Sequence, residues 1–352
     1  MSARYLVTGA QGFVGRFVVA RILQNDPTAT VLGIGRSQEL TDSFTQSIGW
    51  LGETVRAPLP AQIPAELFYD DRYQYESVDL LDSARLRATL ADYSPNRIIH
   101  MASGLFGDSV AKLLQCGVEA TVGLLEAIPT DTTVERIVLG SSGGVYGCPT
   151  ELPLLETHVP SPIHMYSVSK LASEMAAHVV ARQRNLPIVV ARIFNIMGPG
   201  QDERHVCGRF MRELTAIAQS HQPPELEVGT LETTRDMIDV RDTASASVLL
   251  SERGQPGEIY HVASGQEVQM REVLMQCVRA AGLEGAIDVR EGPQRTVDIP
   301  RHFASIEKLR GLGWVPQFGL EQSLQDLHAY YAERVSSSTL RSKQETNNGS
   351  SS

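Results

Sequence analysis

Tyr5-Leu6-Val7-Thr8-Gly9-Ala10-Gln11-Gly12-Phe13-Val14-Gly15 reads as a short apolar strand that runs directly into a glycine turn and then a helix. The helix is marked by Phe13, Val14, Phe17, Val18, Ala20, Ile22 and Leu23 at helical spacing. Strand, glycine turn and helix in that order form the context of a dinucleotide-binding fingerprint. Gly9 permits the tight turn, Gly12 lets the backbone approach a pyrophosphate, and Gly15 lets helix and strand pack closely. The helix N-terminus then offers unpaired N–H groups and a positive dipole end to the phosphates. Gln11, Phe13 and Val14 stand between these glycines and join them as candidate cofactor contacts. The spacing is G-x-x-G-x-x-G, not the commoner G-x-G-x-x-G.

The next strand, Thr30–Gly35, ends in a glycine followed by Arg36. An acidic residue at that strand end would hold the ribose 2′-hydroxyl of NAD. A small residue and then a guanidinium suit a 2′-phosphate, so NADP is the expected cofactor, with NAD the alternative. A third strand over Tyr75–Leu80 carries Asp79 and Leu80 at its end. Asp79 is positioned either to meet the adenine amino group or to cap the helix over Ser83–Leu90. Between these strands, Pro58, Pro60 and Pro64 exclude a long helix and leave 38–75 irregular.

Arg97–Ala102 is an apolar run with the character of a buried parallel strand, in which His100 is a packed structural histidine. A helix over about 107–128 places Val110, Leu113, Leu114, Val118, Val122 and Leu125 on one core-facing stripe. Arg136–Leu139 is the following strand, and it delivers Gly140-Ser141-Ser142-Gly143-Gly144-Val145-Tyr146-Gly147. Strands alternating with helices predict an α/β fold, a doubly wound parallel (Rossmann) sheet, with a smaller C-terminal α/β lobe.

Tyr166-Ser-Val-Ser-Lys170 places a phenol and an amine one helical turn apart on the same face. An ammonium beside a phenol favours phenolate and is expected to lower the tyrosine pKa, which suits proton transfer near neutral pH. Bulk properties fit an ordinary soluble globular protein: 42% apolar and 20% charged residues are typical, and a net charge of -10 disfavours general nucleic-acid binding. Cys116, Cys148, Cys207 and Cys277 form no Cys-x-x-Cys pair and read as reduced thiols in a cytoplasmic protein, with no metal site. Strand-like sequence from Arg4 leaves no room for a signal peptide, and no apolar run is long enough for a bilayer.

Taken together, Thr8–Gly15, Ser141–Gly147 and Tyr166–Lys170 resemble the extended short-chain dehydrogenase/reductase family over about residues 4–334. The resemblance implies Ser142 as the catalytic hydroxyl, Tyr166 as acid/base, and Lys170 as partner of the tyrosine and the ribose hydroxyls. Tyr146 is expected to be structural. Arg192–Gln201 resembles the nucleotide-sugar subgroup, which implies Asn195 against the sugar diphosphate. Thr234–Asp242 resembles the same subgroup's arginine-bearing segment, and Arg295–Pro300 an element of its GDP-6-deoxy-4-keto-mannose reductases. These imply Arg235 and Arg295 as diphosphate ligands, with Arg209 as a further substrate contact. Departures are Gly144, where such reductases often carry Asp or Glu, and Gly117, where the family usually has asparagine.

The expected reaction follows from what these residues can do. Dehydration in this family needs an acid/base pair just after the hydroxyl, and Gly143 and Gly144 cannot titrate. Arg36 points to NADP and thus to net reduction: an NADPH-dependent reductase of a nucleotide-activated 4-keto-6-deoxy sugar. A nucleotide-sugar 4-epimerase retaining NAD is the alternative, and a non-catalytic NADP-binding protein a more remote one. Expected domains are 1–190 for the cofactor, 191–335 mostly for the nucleotide-diphosphate sugar with 240–265 returning to the first lobe, and a disordered tail over 336–352. Ala172, Met175, Ala176 and Val179 give the Tyr166 helix a small apolar face, as expected of a homodimer.

Overall fold

The computed structural model describes residues 2–50, 53–130, 133–292 and 299–333. Seven parallel strands form its centre: β1 (Arg4–Thr8), β2 (Thr30–Gly35), β3 (Tyr73–Ser77), β4 (Arg97–His100), β5 (Arg136–Ser142), β6 (Ile188–Ile193) and β7 (Ile259–Val262). Their spatial order is β7-β6-β5-β4-β1-β2-β3, and every neighbouring pair is parallel. The order reverses between β1 and β4, and a crevice opens there beyond the carboxyl ends of the strands.

Both faces of the sheet are covered. One carries α1 (Phe13–Asn25), and the other carries α2 (Ser83–Tyr93), α3 (110–127) and α4 (Met165–Arg184). Helix α3 runs Val110–Leu114, a π turn Gln115–Glu119, and Ala120–Ala127 without interruption. Helix α5 (Val206–Ala218) belongs to the smaller lobe, whereas α6 (Val240–Arg253) packs beside α1. Alternation along the strands divides the core: Tyr5, Val7, Val31 and Val138 face α1, while Leu6, Leu32, Ile137 and Leu139 face the opposite layer. Buried on both faces, these strands read as continuous apolar runs.

Several expectations shift. β4 ends at His100 and not at Ala102, and β3 covers Tyr73–Ser77, so Asp79 lies in the loop beyond it. The cap of α2 is Asp82, whose carboxylate accepts from Arg85 N at 3.0 Å, so Asp79 is free of that role. Within α3, Leu113 and Leu125 are buried, but Val110 and Leu114 are exposed. The π turn adds a residue to the helical repeat, so side chains before it fall out of phase with those after it. The irregular stretch contains an antiparallel hairpin, Ser43–Trp50 with Glu53–Pro58, anchored by buried Phe44 and Ile48.

The smaller lobe is built from short pairings. Glu225–Val228 runs parallel to Asp288–Glu291, and Thr234–Arg235 lies between Val268–Gln269 and Arg301–His302. Met237–Asp239 pairs with Asn195–Met197, which carries this lobe up to the mouth of the crevice. The expected tail over 336–352 lies outside the described residues.

Candidate active site

The crevice is a cleft of about 830 Å³ whose wall includes Gly9, Gln11, Gly12, Phe13, Val14, Gly15, Arg36, Asp79, Leu80, Ser142, Tyr166, Lys170 and Asn195. Its floor is the glycine turn. Gly9 has φ +67°, and a Cβ there would approach the Ala102 backbone to 3.0 Å. A Cβ on Gly15 would sit 2.1 Å from the Gly9 carbonyl oxygen, so α1 packs on β1 only with glycine at this position. The turn is closed by Gly12 N donating to Gly9 O at 2.9 Å.

The buried Gln11 side chain turns from the cleft floor to the loop after β2, donating to Ser37 Oγ at 3.1 Å and Gln38 O at 3.0 Å. Arg16, fully buried, donates to Ser43 O at 2.9 Å and lies over the Phe68 ring. These contacts fix the loop on which exposed Arg36 stands at the cleft wall. At Gly35 a Cβ would meet the Tyr75 hydroxyl at 2.9 Å, so a longer side chain at the strand end would have to displace that hydroxyl.

At the other end of the cleft, Ser142 ends β5 and Tyr166 lies in the first turn of α4. Ser142 Oγ accepts from Gly144 N at 3.1 Å and hydrogen-bonds the Tyr166 phenol. Lys170 Nζ donates to Gly140 O at 2.8 Å and lies 5.9 Å from the centre of the Tyr166 ring. The three side chains foreseen as a group therefore meet in one place. Their electrostatics differ from expectation: burial pushes the phenol up to about 12, with the Ser142 hydrogen bond opposing the rise. Lys170 is turned to a carbonyl and does not offset that burial. Burial also brings the Lys170 amine down to about 8, against the pull of Glu174.

Behind the site is a buried polar chain. Glu174, one turn beyond Lys170, accepts from Ser141 Oγ and from Arg192 Nη2 at 2.7 Å. Arg192 Nη1 donates to Tyr146 OH at 2.7 Å, and that hydroxyl meets His261 Nε2 at 2.6 Å. With Nδ1 donating to Ser305 O at 3.1 Å, His261 is neutral, and burial holds its pKa down at about 3. Tyr146 is thus structural. His100 is likewise buried between Thr8 Oγ1 and Thr121 Oγ1 at 2.6 and 3.0 Å. Glu174 escaped the sequence reading, although its position four residues after Lys170 was a usable signal.

Position 143 is closed by an aromatic ring, whereas at position 144 a side chain would have to displace serine hydroxyls. A Cβ at Gly143 would meet the Phe194 ring at 2.9 Å, and one at Gly144 would meet Ser167 Oγ at 2.8 Å. On the opposite wall Asn195 Nδ2 donates to Asp236 O at 3.0 Å. Arg209 and Arg235 are not in the cleft wall. Arg209 pairs with Glu213 and donates to Glu227 O at 2.7 Å, and Arg235 donates to Thr234 O and Ile299 O at 2.8 and 2.7 Å. Arg295 lies outside the described residues. Leu105 and Phe106, which the sequence reading passed over, do line the cleft. No cluster of metal-ligating side chains occurs among the described residues, and no helix among them is long and apolar enough to cross a membrane.

A doubly wound sheet with a glycine turn at its switch point and a Ser-Tyr-Lys group at the cleft defines an extended short-chain dehydrogenase/reductase. The chain belongs within that class to the GDP-mannose 4,6 dehydratase family, whose model matches residues 6–327. It is 31% identical over 294 residues to GDP-6-deoxy-D-mannose reductase of Pseudomonas aeruginosa, covering 82% of this chain and 95% of that protein. The solved structure of RMD from Pseudomonas aeruginosa complexed with NADPH superposes with a TM-score of 0.78 at 27% identity, covering 95% and 100% of the two chains. A putative epimerase from Burkholderia cenocepacia has a TM-score of 0.76 at 30% identity, covering 94% and 99%. Relatives in this family are NAD(P)-dependent nucleotide-sugar reductases, dehydratases and epimerases.

Proposed function

We propose that the protein is an NADPH-dependent reductase of a nucleotide-activated 4-keto-6-deoxy sugar, with a GDP-4-keto-6-deoxy-mannose-like substrate. The observation that carries this reading is the Ser142–Tyr166 pair in the cleft, followed by Gly143 and Gly144, which have no side chains to serve as a second acid/base pair. That combination suits reduction and disfavours dehydration. The dinucleotide supplies hydride when bound. Ser142 orients the C4 carbonyl by hydrogen bonding, Tyr166 donates its proton to the developing alkoxide, and Lys170 holds the ribose hydroxyls. A phenol with a pKa near 12 is fully protonated at neutral pH, as a donor must be. Arg36 beside a strand end that carries glycine and no carboxylate favours NADP. Asn195 faces the sugar nucleotide. Arg209 and Arg235 reach the diphosphate only by leaving their present partners, and Arg295 is proposed as a further ligand from the sequence alone.

Tyr166→Phe is the direct test. NADPH binding is expected to persist, while turnover of the 4-keto-6-deoxy substrate falls by about 10²–10⁴; turnover at the wild-type rate in this variant defeats the assignment. A second reading, a 4-epimerase holding NAD, is favoured by the likeness to the putative Burkholderia epimerase. Purified protein that retains NAD through gel filtration supports it over the reductase. The exposed apolar side chains of α3 (Val110, Leu114) and α4 (Met175, Val179) suit a homodimer formed through these helices. Light scattering should then give a dimer mass for the wild type and a monomer mass for Met175→Asp; a dimer in both removes this face from consideration.

A further inference from the structure

The cleft wall carries an apolar feature that the mechanism above does not use. After β4 the chain makes a tight turn in which Leu105 N donates to Asp108 Oδ2 at 2.8 Å and Asp108 N donates to Leu105 O at 3.0 Å. Lys112 Nζ braces the same carboxylate at 2.8 Å. This turn holds Phe106 at the cleft with 62% of its surface exposed. The ring is set edge-on to His164 at 5.7 Å and to the Tyr166 ring at 6.3 Å. The open phenyl ring beside the proton donor offers an apolar surface to whatever occupies the cleft.

From this placement we infer that Phe106 is a specificity-determining residue, packing against the substituent on the sugar carbon next to the reacting one and favouring a methyl there over a hydroxymethyl. The inference rests on the reductase reading above. A carbonyl oxygen shared by Tyr166 and Ser142 puts the reacting carbon one bond further on and the C5 substituent three bonds from that oxygen. The Phe106 and Tyr166 ring centres lie 6.3 Å apart and both rings line the cleft, so a sugar held at the phenol has Phe106 as a neighbour. A methyl gains contact with the ring, whereas a hydroxyl brought against it loses water and finds no hydrogen-bond acceptor or donor on phenyl.

The test uses the full chain saturated with NADP and two stable probes, GDP-mannose and GDP-6-deoxy-mannose, which differ only in that hydroxyl. Calorimetry of the wild type is expected to give about tenfold tighter binding of the 6-deoxy probe. Phe106→Ala should reduce the ratio to within about twofold, while Phe106→Leu, which keeps an apolar side chain, should retain most of it. An exposed side chain carries little of the fold, so both variants should melt with the wild type. Equal affinities in the wild type, or an undiminished ratio in Phe106→Ala, overturn the inference alone. Binding of neither probe by wild-type protein that still binds NADPH overturns the reductase reading and the inference with it.

Discussion

The two halves of the cleft are held together by different means. Around the dinucleotide turn the constraint is steric and local: Gly9, Gly12 and Gly15 lie within one short stretch, and backbone contacts among them close the structure. Where the smaller lobe meets the sheet edge at β7 the constraint is polar and long-range. The Asp236 carboxylate accepts from Ser264 N and Ser264 Oγ at 2.7 Å, from Gly265 N at 3.0 Å and from Ala304 N at 3.4 Å. One buried acid thus joins the segments at 236, 264–265 and 304. Burial pushes it up to about 6 even with four donors. A glycine turn carries its own instructions, whereas a carboxylate knot depends on chain arriving from elsewhere.

Substitutions in each half should break in different ways. Gly15→Val drives a side chain into the Gly9 carbonyl, and the expected cost is at least about 3 kcal/mol with loss of dinucleotide binding. Thermal unfolding and NADPH titration measure both; a well-folded variant that binds NADPH normally would contradict the steric account. Asp236→Ala leaves four donors without their acceptor and should cost about 2–3 kcal/mol. Because the knot ties the smaller lobe to the sheet edge at β7, four strands away from β1 and its glycine turn, NADPH binding should survive at temperatures where sugar-nucleotide binding is already lost. Simultaneous loss of both would mean that the lobes melt as one unit and that the contrast drawn here is too sharp.

That contrast also explains what the sequence made legible. Gly9, Gly12, Gly15, Ser142, Tyr166 and Lys170 were readable because each belongs to a short motif with a fixed local geometry. The strands were readable because burial on both faces makes them uniformly apolar. Asp236 was visible only as part of a motif, since its donors lie 28 to 68 residues away. The hairpin from Ser43 has a register shift between Ser43 and Ser47 that breaks its alternation, and three prolines follow or end its second strand. The phase change in α3 came from a π turn that periodicity cannot register. The raised phenol pKa escaped because the spacing of Tyr166 and Lys170 gives their face and not the direction of the amine, which the Gly140 carbonyl decides.

The smallest expected effect concerns that amine. Lys170 is brought down to about 8 and Tyr166 is raised to about 12, so across the alkaline range the lysine loses its proton first. If the ammonium is the form that holds cofactor and site, kcat/KM for NADPH should be flat below about pH 8 and fall about tenfold per unit above it. Unfolding does not produce this limb. The folded-state pKa lies below the ordinary 10.5, so between these values the unfolded chain binds more protons and this group's contribution to stability rises with pH. Glu174 is the anion that opposes the depression, so Glu174→Gln should move the limb to lower pH. The ratio of rates at pH 7 and pH 9 in the two proteins, with circular dichroism to establish that both stay folded, measures the shift. A limb near pH 12 in the wild type would return the titration to the phenol, and an unmoved limb in Glu174→Gln would separate the buried acid from the amine.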